Sequence, residues 1–224
     1  MYLFLKRLID ILIALVTIVI LSPVFIVVII LLSITGEREV FYLQNRVGYQ
    51  NNRFGIIKFA TMLKNSPNMG TGSLTLRNDP RVTSVGRILR MTKINELPQV
   101  FNVLKGDMSI VGPRPQMEID FMAYSEDVRE RIYNVRPGIT GVGSILFRDE
   151  EKIISESELS PRDCYEQVIA PYKGEVEMWY QSHASIWTDI KIILCTAWVI
   201  IFKGWSVVWR LFQDLPKNKI IVDS

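Results

Sequence analysis

The sequence predicts an α/β-mixed fold that is mainly helical, with a small sheet component, an N-terminal membrane helix and amphipathic helices near its C-terminal end. Three observations carry this. Residues 11–36 hold no charge, enough for the roughly 20 apolar residues of a membrane helix. Residues 39–46 and 54–61 read as short strands flanking a turn at 48–52. All five Trp lie between Trp179 and Trp209, where Ile186, Ile190, Ile193, Ala197 and Ile201 recur at helical spacing. Composition sets the bounds: 224 residues suit one domain with an appended membrane element, and 49% hydrophobic with 22% charged residues is too apolar for disorder and too polar for a multi-span protein. Two cysteines, Cys164 and Cys195, are too few for a disulfide scaffold and are expected as reduced thiols. A net charge of +3 is a mild bias toward anionic partners.

Within the first element, Ser22-Pro23 lies near the middle of the apolar stretch. Proline removes a backbone donor and clashes with the carbonyl four residues earlier, and Ser22 is placed to rebond the freed group. Two outcomes follow. The helix either kinks and still spans, or breaks into two arms of about 18 Å that enter and leave one leaflet of a roughly 30 Å hydrocarbon core. Lys6 and Arg7 favour a cytoplasmic N-terminus, so a span would put everything after Gly36 outside the cell. A cleaved signal peptide is not expected, because the apolar region is longer than about 15 residues and no small-residue cleavage site follows. At the other end the charge-free core 192–202 is too short to span. Beyond Lys203-Gly204, Trp205, Val208, Trp209 and Phe212 follow i, i+3, i+4, i+7 with Arg210 beside them. These are expected as helices lying in the membrane interface, an ordinary buried helix pair being the alternative.

The middle of the chain carries the chemistry. Residues 64–76 read as a loop, followed by Asn78-Asp79-Pro80-Arg81 and a helix with Val85, Ile88 and Leu89 on one side. Arg87 and Arg90 on that helix form either a cationic funnel for phosphates or a solvated face. In Asn95-Glu96-Leu97-Pro98-Gln99, Asn95 suits an N-cap, and Gly106 suits the residue after the helix. The free donors at such a helix start would seat a phosphate. Glu96 there is a first-turn acid complementing the dipole, or a base and metal ligand. Arg114 is held between Pro113 and Pro115, a restricted planar fork suited to phosphate recognition. Residues 136–143 form a second basic, glycine-rich turn without the lysine and spacing of a Walker loop. Arg148-Asp149-Glu150-Glu151 could hold a metal or sugar hydroxyls, or be a solvated acidic cluster. The single histidine, His183, argues against His-based triads and multi-His zinc sites. No CxxC pair or DNA-binding motif occurs, so no nucleic-acid partner is expected. The residues point to a phosphate-handling protein at a membrane.

Taken in order, Lys6-Arg7 with Asp10, Ser22-Pro23, Gln44-Asn45-Arg46, Lys58-Phe59 with Thr61-Met62, Asn78-Asp79-Pro80-Arg81, Glu96-Leu97-Pro98-Gln99, the Phe101 to Ser109 run, Val111-Gly112-Pro113-Arg114-Pro115 and Arg136-Pro137-Gly138-Ile139-Thr140-Gly141 closely resemble the bacterial sugar transferase family. Its members are monotopic polyprenyl-phosphate phosphoglycosyl transferases, and the chain resembles their small form. The resemblance implies transfer of a sugar 1-phosphate from a UDP-sugar to undecaprenyl phosphate, with release of UMP and a requirement for magnesium. It places this priming step of exopolysaccharide and surface-glycan assembly on the cytoplasmic face of the bacterial inner membrane. It also implies a re-entrant anchor hairpin broken at Ser22-Pro23, with three parts: anchor 1–36, catalytic domain 37–180, interfacial C-terminal helices 181–224. Arg90, Arg114, Lys58 and Arg136 would bind substrate phosphate, with Glu96 as metal partner. Membrane lipids, a second copy of the chain and downstream glycosyltransferases are partners it allows.

One departure bears on mechanism. The family uses an Asp-Glu dyad in which the Asp attacks the sugar-bearing phosphate, and here the pair reads Asn95-Glu96. A neutral amide is a poor nucleophile. Glu96 could attack instead; the acceptor phosphate could attack directly with Glu96 as base; or activity is lost, leaving a protein that binds lipid phosphate or partners. An active enzyme is the first expectation. After Thr140-Gly141 the chain reads Val142-Gly143-Ser144 in place of the family's usual Trp-Ala-Gln, as a subgroup with its own sugar preference would.

Overall fold

The computed structural model describes residues 2–66, 69, 79–202 and 206–217. Asn78, Lys203, Gly204, Trp205 and most of the 64–76 loop lie outside them. The first helix, α1 (Tyr2–Ile34), runs as one helical segment through Pro23, where the hairpin expectation has two arms. Proline leaves the carbonyl of Val19 without its donor, and Ser22 Oγ donates to that oxygen at 2.9 Å, as the sequence implied. By length and composition α1 could cross a membrane. Leu3, Phe4, Leu12, Val19, Ile20 and Val27 are exposed on it, and other positions dock on the protein. Arg7 donates to the carbonyls of Val103 and Leu104. Asp10 accepts from Ser109 Oγ at 2.8 Å and the Ile110 amide at 3.0 Å. The Phe25 ring lies 5.7 Å from that of Phe59 and 5.8 Å from that of Phe101.

The expected hairpin forms from β1 (Phe41–Val47) and β2 (Arg53–Phe59), antiparallel, with Phe41 opposite Phe59 and Val47 opposite Arg53. Next comes α2 (Ser84–Met91), capped by Thr83 Oγ1, which accepts from the Gly86 amide at 3.0 Å. Then α3 (Gln99–Lys105) ends on Gly106 at φ +100°, the left-handed stop that glycine supplies. Asn95 is not its N-cap. Pro98 occupies that position and Asn95 sits in a preceding 3-10 turn, Ile94–Glu96. A proline needs no partner for an amide it lacks, so the regular ladder starts after it. The helix start at which a phosphate seat was expected thus lies at Pro98 and not at Asn95.

A second sheet was not legible: β3 (Ser109–Val111) pairs in parallel with β4 (Gly138–Thr140), with α4 (Glu118–Phe121) and α5 (Glu126–Arg131) between them in sequence. A Cβ on Gly112 would lie 2.3 Å from the Arg136 carbonyl oxygen. The glycines around β4 let two backbones touch each other rather than a ligand.

The remaining helices are α6 (Val142–Leu146), α7 (Glu150–Glu156), α8 (Pro161–Cys164), α9 (Ala170–His183), α10 (Ile186–Phe202) and α11 (Ser206–Leu211). One apolar core joins α1 to β2, α2 and α3 through Phe25, Val28, Phe59, Leu89 and Val103. The larger one gathers α6 and α9 to α11 around Val142, Val176, Tyr180, Ile192 and Val199. On α10 the inward line is Asp189, Ile192, Cys195 and Val199, whereas Trp187, Leu194, Trp198 and Ile201 are exposed. On α11 the expectation fails. Val208 of α11 and Phe212 just beyond it are buried in the core, and Phe212 meets Trp179 of α9 at 5.3 Å.

Candidate active site

Four sequence-predicted residues come together where β2, the α2–α3 connection and the β3–α4 connection meet. Asn102, buried on α3, accepts from the Ile57 amide at 2.9 Å and donates to the Gly55 carbonyl at 2.8 Å. That clamp holds β2 beside the segment ahead of α3, and so sets Lys58 opposite Glu96. Lys93 adopts a left-handed conformation, φ 60°, and turns the chain so that Glu96 follows in the 3-10 turn. Glu96 Oε1 lies 3.2 Å from Arg114 Nη2 and 4.0 Å from Lys58 Nζ. Arg90, in the last turn of α2, pairs with Glu151 of α7 at 3.2 Å.

The electrostatics follow from burial. Burial alone would raise the Glu96 carboxyl, yet Arg114, Lys58 and Lys93 overcome it and hold the group far below the usual carboxylate range. Glu96 is thus held as a carboxylate by its cationic neighbours. Lys58 is pushed down to about 7 by burial, with Arg46, Arg114 and Arg90 adding their repulsion against the pull of Glu96. Arg46 is lowered to about 10 by burial and by Arg114. Four cations thus crowd one carboxylate, an arrangement that favours a multiply charged anion.

Asn95 is buried, and its Oδ1 lacks a hydrogen-bond partner, a cost that a ligand or ion at that oxygen would remove. Among the described residues no group of three or more His, Cys, Asp or Glu could hold a metal. A magnesium ion here would rely on Glu96, Asn95 Oδ1 and substrate oxygens, which suits a cation that takes few protein ligands and keeps phosphate and water.

Arg136, expected with the phosphate binders, sits elsewhere. Its Nε donates to the Gly106 carbonyl at 2.9 Å and its guanidinium lies 5.0 Å from the centre of the Tyr49 ring. Arg46 and Lys93 were not assigned to the site from sequence, and Glu151 was offered only within the acidic run after Arg148. Arg46 carried a signal in Gln44-Asn45-Arg46, but its strand neighbours gave no direction.

The family model described as bacterial sugar transferase matches residues 1–203. The chain belongs to the bacterial sugar transferase family. A UDP-N-acetylgalactosamine-undecaprenyl-phosphate N-acetylgalactosaminephosphotransferase of Aeromonas hydrophila is 35% identical over 87% of this chain and 43% of its own length. A UDP-glucose:undecaprenyl-phosphate glucose-1-phosphate transferase of Escherichia coli K12 is 34% identical over 89% of this chain and 40% of its own length. The exopolysaccharide production protein ExoY of Sinorhizobium fredii is 35% identical over 65% of this chain and 70% of its own. This bacterial sugar transferase chain thus spans less than half the length of the first two.

Proposed function

We propose that the protein transfers a sugar 1-phosphate from a UDP-sugar to undecaprenyl phosphate, releasing UMP and priming surface-glycan or exopolysaccharide assembly. The observation that carries this reading is the pairing of Lys58 and Arg114 with the ionised Glu96, with Arg90 acting on Lys58 from α2, beside an apolar helix, in a chain of this family. Those cations neutralise the diphosphate and the charge that spreads over the phosphoryl oxygens in flight. Asn95 offers no nucleophile and Glu96 is engaged by Arg114 and Lys58. The acceptor phosphate therefore attacks directly: its oxygen bonds to the phosphorus bearing the sugar, the bond to the bridging oxygen breaks, and UMP leaves with that electron pair. Glu96 and Asn95 Oδ1 would hold magnesium. When bound, that ion supplies further neutralisation of the diphosphate oxygens.

Both halves of α1 dock on the same small helix, which supports a re-entrant anchor. Arg7 and Phe25 are about five turns apart, roughly 27 Å along a straight helix, yet both reach α3. On this reading residues 1–36 form the anchor, 37–180 the catalytic domain and 181–224 the C-terminal part, with the outer side of α10 against lipid and the site on the cytoplasmic face of the inner membrane.

The test is UMP release from a panel of UDP-sugars by protein held in nanodiscs with magnesium, with and without undecaprenyl phosphate, beside Asn95→Asp. Release by the unaltered protein only when the acceptor is present is the expected result. Silence with every sugar, alongside turnover by Asn95→Asp, would identify a non-catalytic relative instead.

A further inference from the structure

The Arg114 side chain meets Glu96, and its backbone meets a second carboxylate that the transfer chemistry does not use. Glu177 of α9 is 1% exposed, rare for an acid without an ion-pair partner. Its Oε1 accepts from the Arg114 backbone amide at 3.2 Å, and its Oε2 has no partner. The residue is fitted rather than trapped. A Cβ on Gly143 would come within 2.2 Å of Oε1, so the subgroup's Val142-Gly143 text leaves room for this carboxylate to reach across. The rest of the turn is held on other sides: Tyr133 Oη donates to the Arg114 carbonyl at 2.8 Å and accepts from the Gln116 amide at 2.9 Å. Pro113 and Pro115 have no amide hydrogens to offer, so Arg114 N–H is the turn's one donor between them, and Glu177 takes it.

We propose that Glu177 is a positioning residue for Arg114, fixing through one backbone hydrogen bond the angle at which the guanidinium meets substrate phosphate. The physical reason is leverage. Arg114 reaches its target through a long side chain, so a small rotation of its peptide moves the fork by a bond length or more, and misplacement of about 1 Å costs on the order of 100-fold in rate. The buried acid is kept despite its desolvation cost because no apolar side chain of that size could accept the amide.

The inference rests on the transferase reading, so its test has one readout that needs turnover and one that does not. Glu177→Leu keeps the volume and removes the acceptor; Glu177→Gln keeps an acceptor oxygen and removes the charge. Glu177→Leu is expected to lower kcat at least tenfold with KM for the UDP-sugar changed less than threefold, and Glu177→Gln to restore most of the rate. Gly143→Ala, which pushes on the same carboxylate, is expected to lower kcat similarly and to add little to Glu177→Leu. Independently, amide hydrogen exchange over residues 111–116 should quicken in Glu177→Leu and not in Glu177→Gln. Unchanged exchange and full kcat in Glu177→Leu would overturn the proposal, as would equal losses in both variants. If the unaltered protein turns over no UDP-sugar, the transferase reading fails while the exchange data still decide the role of Glu177.

Discussion

Two arginine–proline turns lie back to back in this protein and serve opposite ends. In Pro113-Arg114-Pro115 the guanidinium faces Glu96; in Arg136-Pro137-Gly138 it is taken up by the Gly106 carbonyl and the Tyr49 ring. Their backbones are joined, since the Gly138 amide donates to the Pro113 carbonyl and the Ser109 amide to that of Pro137. The difference teaches that proline restricts where an arginine starts, whereas the partners packed behind it decide where it points. The Arg114 backbone is held by an acceptor on α9, Glu177, and by a donor, the Tyr133 hydroxyl, so its side chain is spent at Glu96 and not on the fold. Arg136 spends its side chain on the fold.

The comparison breaks most readily at Arg114. Arg114→Ala is expected to lower kcat by about 100- to 1000-fold, about 3 to 4 kcal/mol of transition-state stabilisation, with Arg114→Lys recovering little because an ammonium cannot reproduce the fork. Steady-state UMP release measures both. Equal recovery by lysine would reduce Arg114 to a point charge.

A smaller effect sharpens the account of what lies behind Arg114. Burial pushes Glu177 up to about 7, partly offset by the Arg114 amide, Lys173 and Arg114's own charge, while Tyr124 and Tyr133 also face it. An acid whose folded pKa exceeds its unfolded value makes the native state bind more protons between the two. Its stability contribution is therefore greatest below about 4.5 and falls as pH rises through about 7. Thermal unfolding of the unaltered protein and Glu177→Gln at pH 5.5 and pH 8 should differ in slope, the amide variant gaining up to about 2 kcal/mol of relative stability between the two. Parallel pH responses would mean the carboxyl titrates as in water.

The smallest effect belongs to the second turn. Arg136→Ala is expected to cost about 1 kcal/mol of stability from a lost hydrogen bond and cation–π contact and to leave kcat within about threefold. A loss of activity as deep as that of Arg114→Ala, with stability intact, would place Arg136 with the substrate after all.

What was readable in the sequence and what was not divides along range. The β1–β2 hairpin was legible because its signal, alternation around a turn, is local. The role of Ser22 beside Pro23 was legible for the same reason. The β3–β4 pair was not, since each strand is three residues long and its partner lies well down the chain. Asn95 was misplaced because its cap chemistry competes with Pro98 three residues on, and proline settles where the ladder begins. On α10 and α11 the periodicity was right, but periodicity does not say which medium the apolar side meets. Of the predicted site residues, Lys58 and Arg114 meet at Glu96, while Arg90 pairs with Glu151 of α7. Glu177 gave no signal, because an acid on an otherwise ordinary helix reveals its burial only once Gly143 is packed against it.

The contacts of Asp10 with Ser109 and Ile110 reach further than anchoring. They brace the strand that leads straight into Gly112 and Arg114, and Phe25, Val28 and Leu32 complete the core beneath β2 and α3. A version trimmed of its first helix for the sake of solubility would therefore lose a wall of its own workshop: what remained would be an unfinished domain, not a freed one.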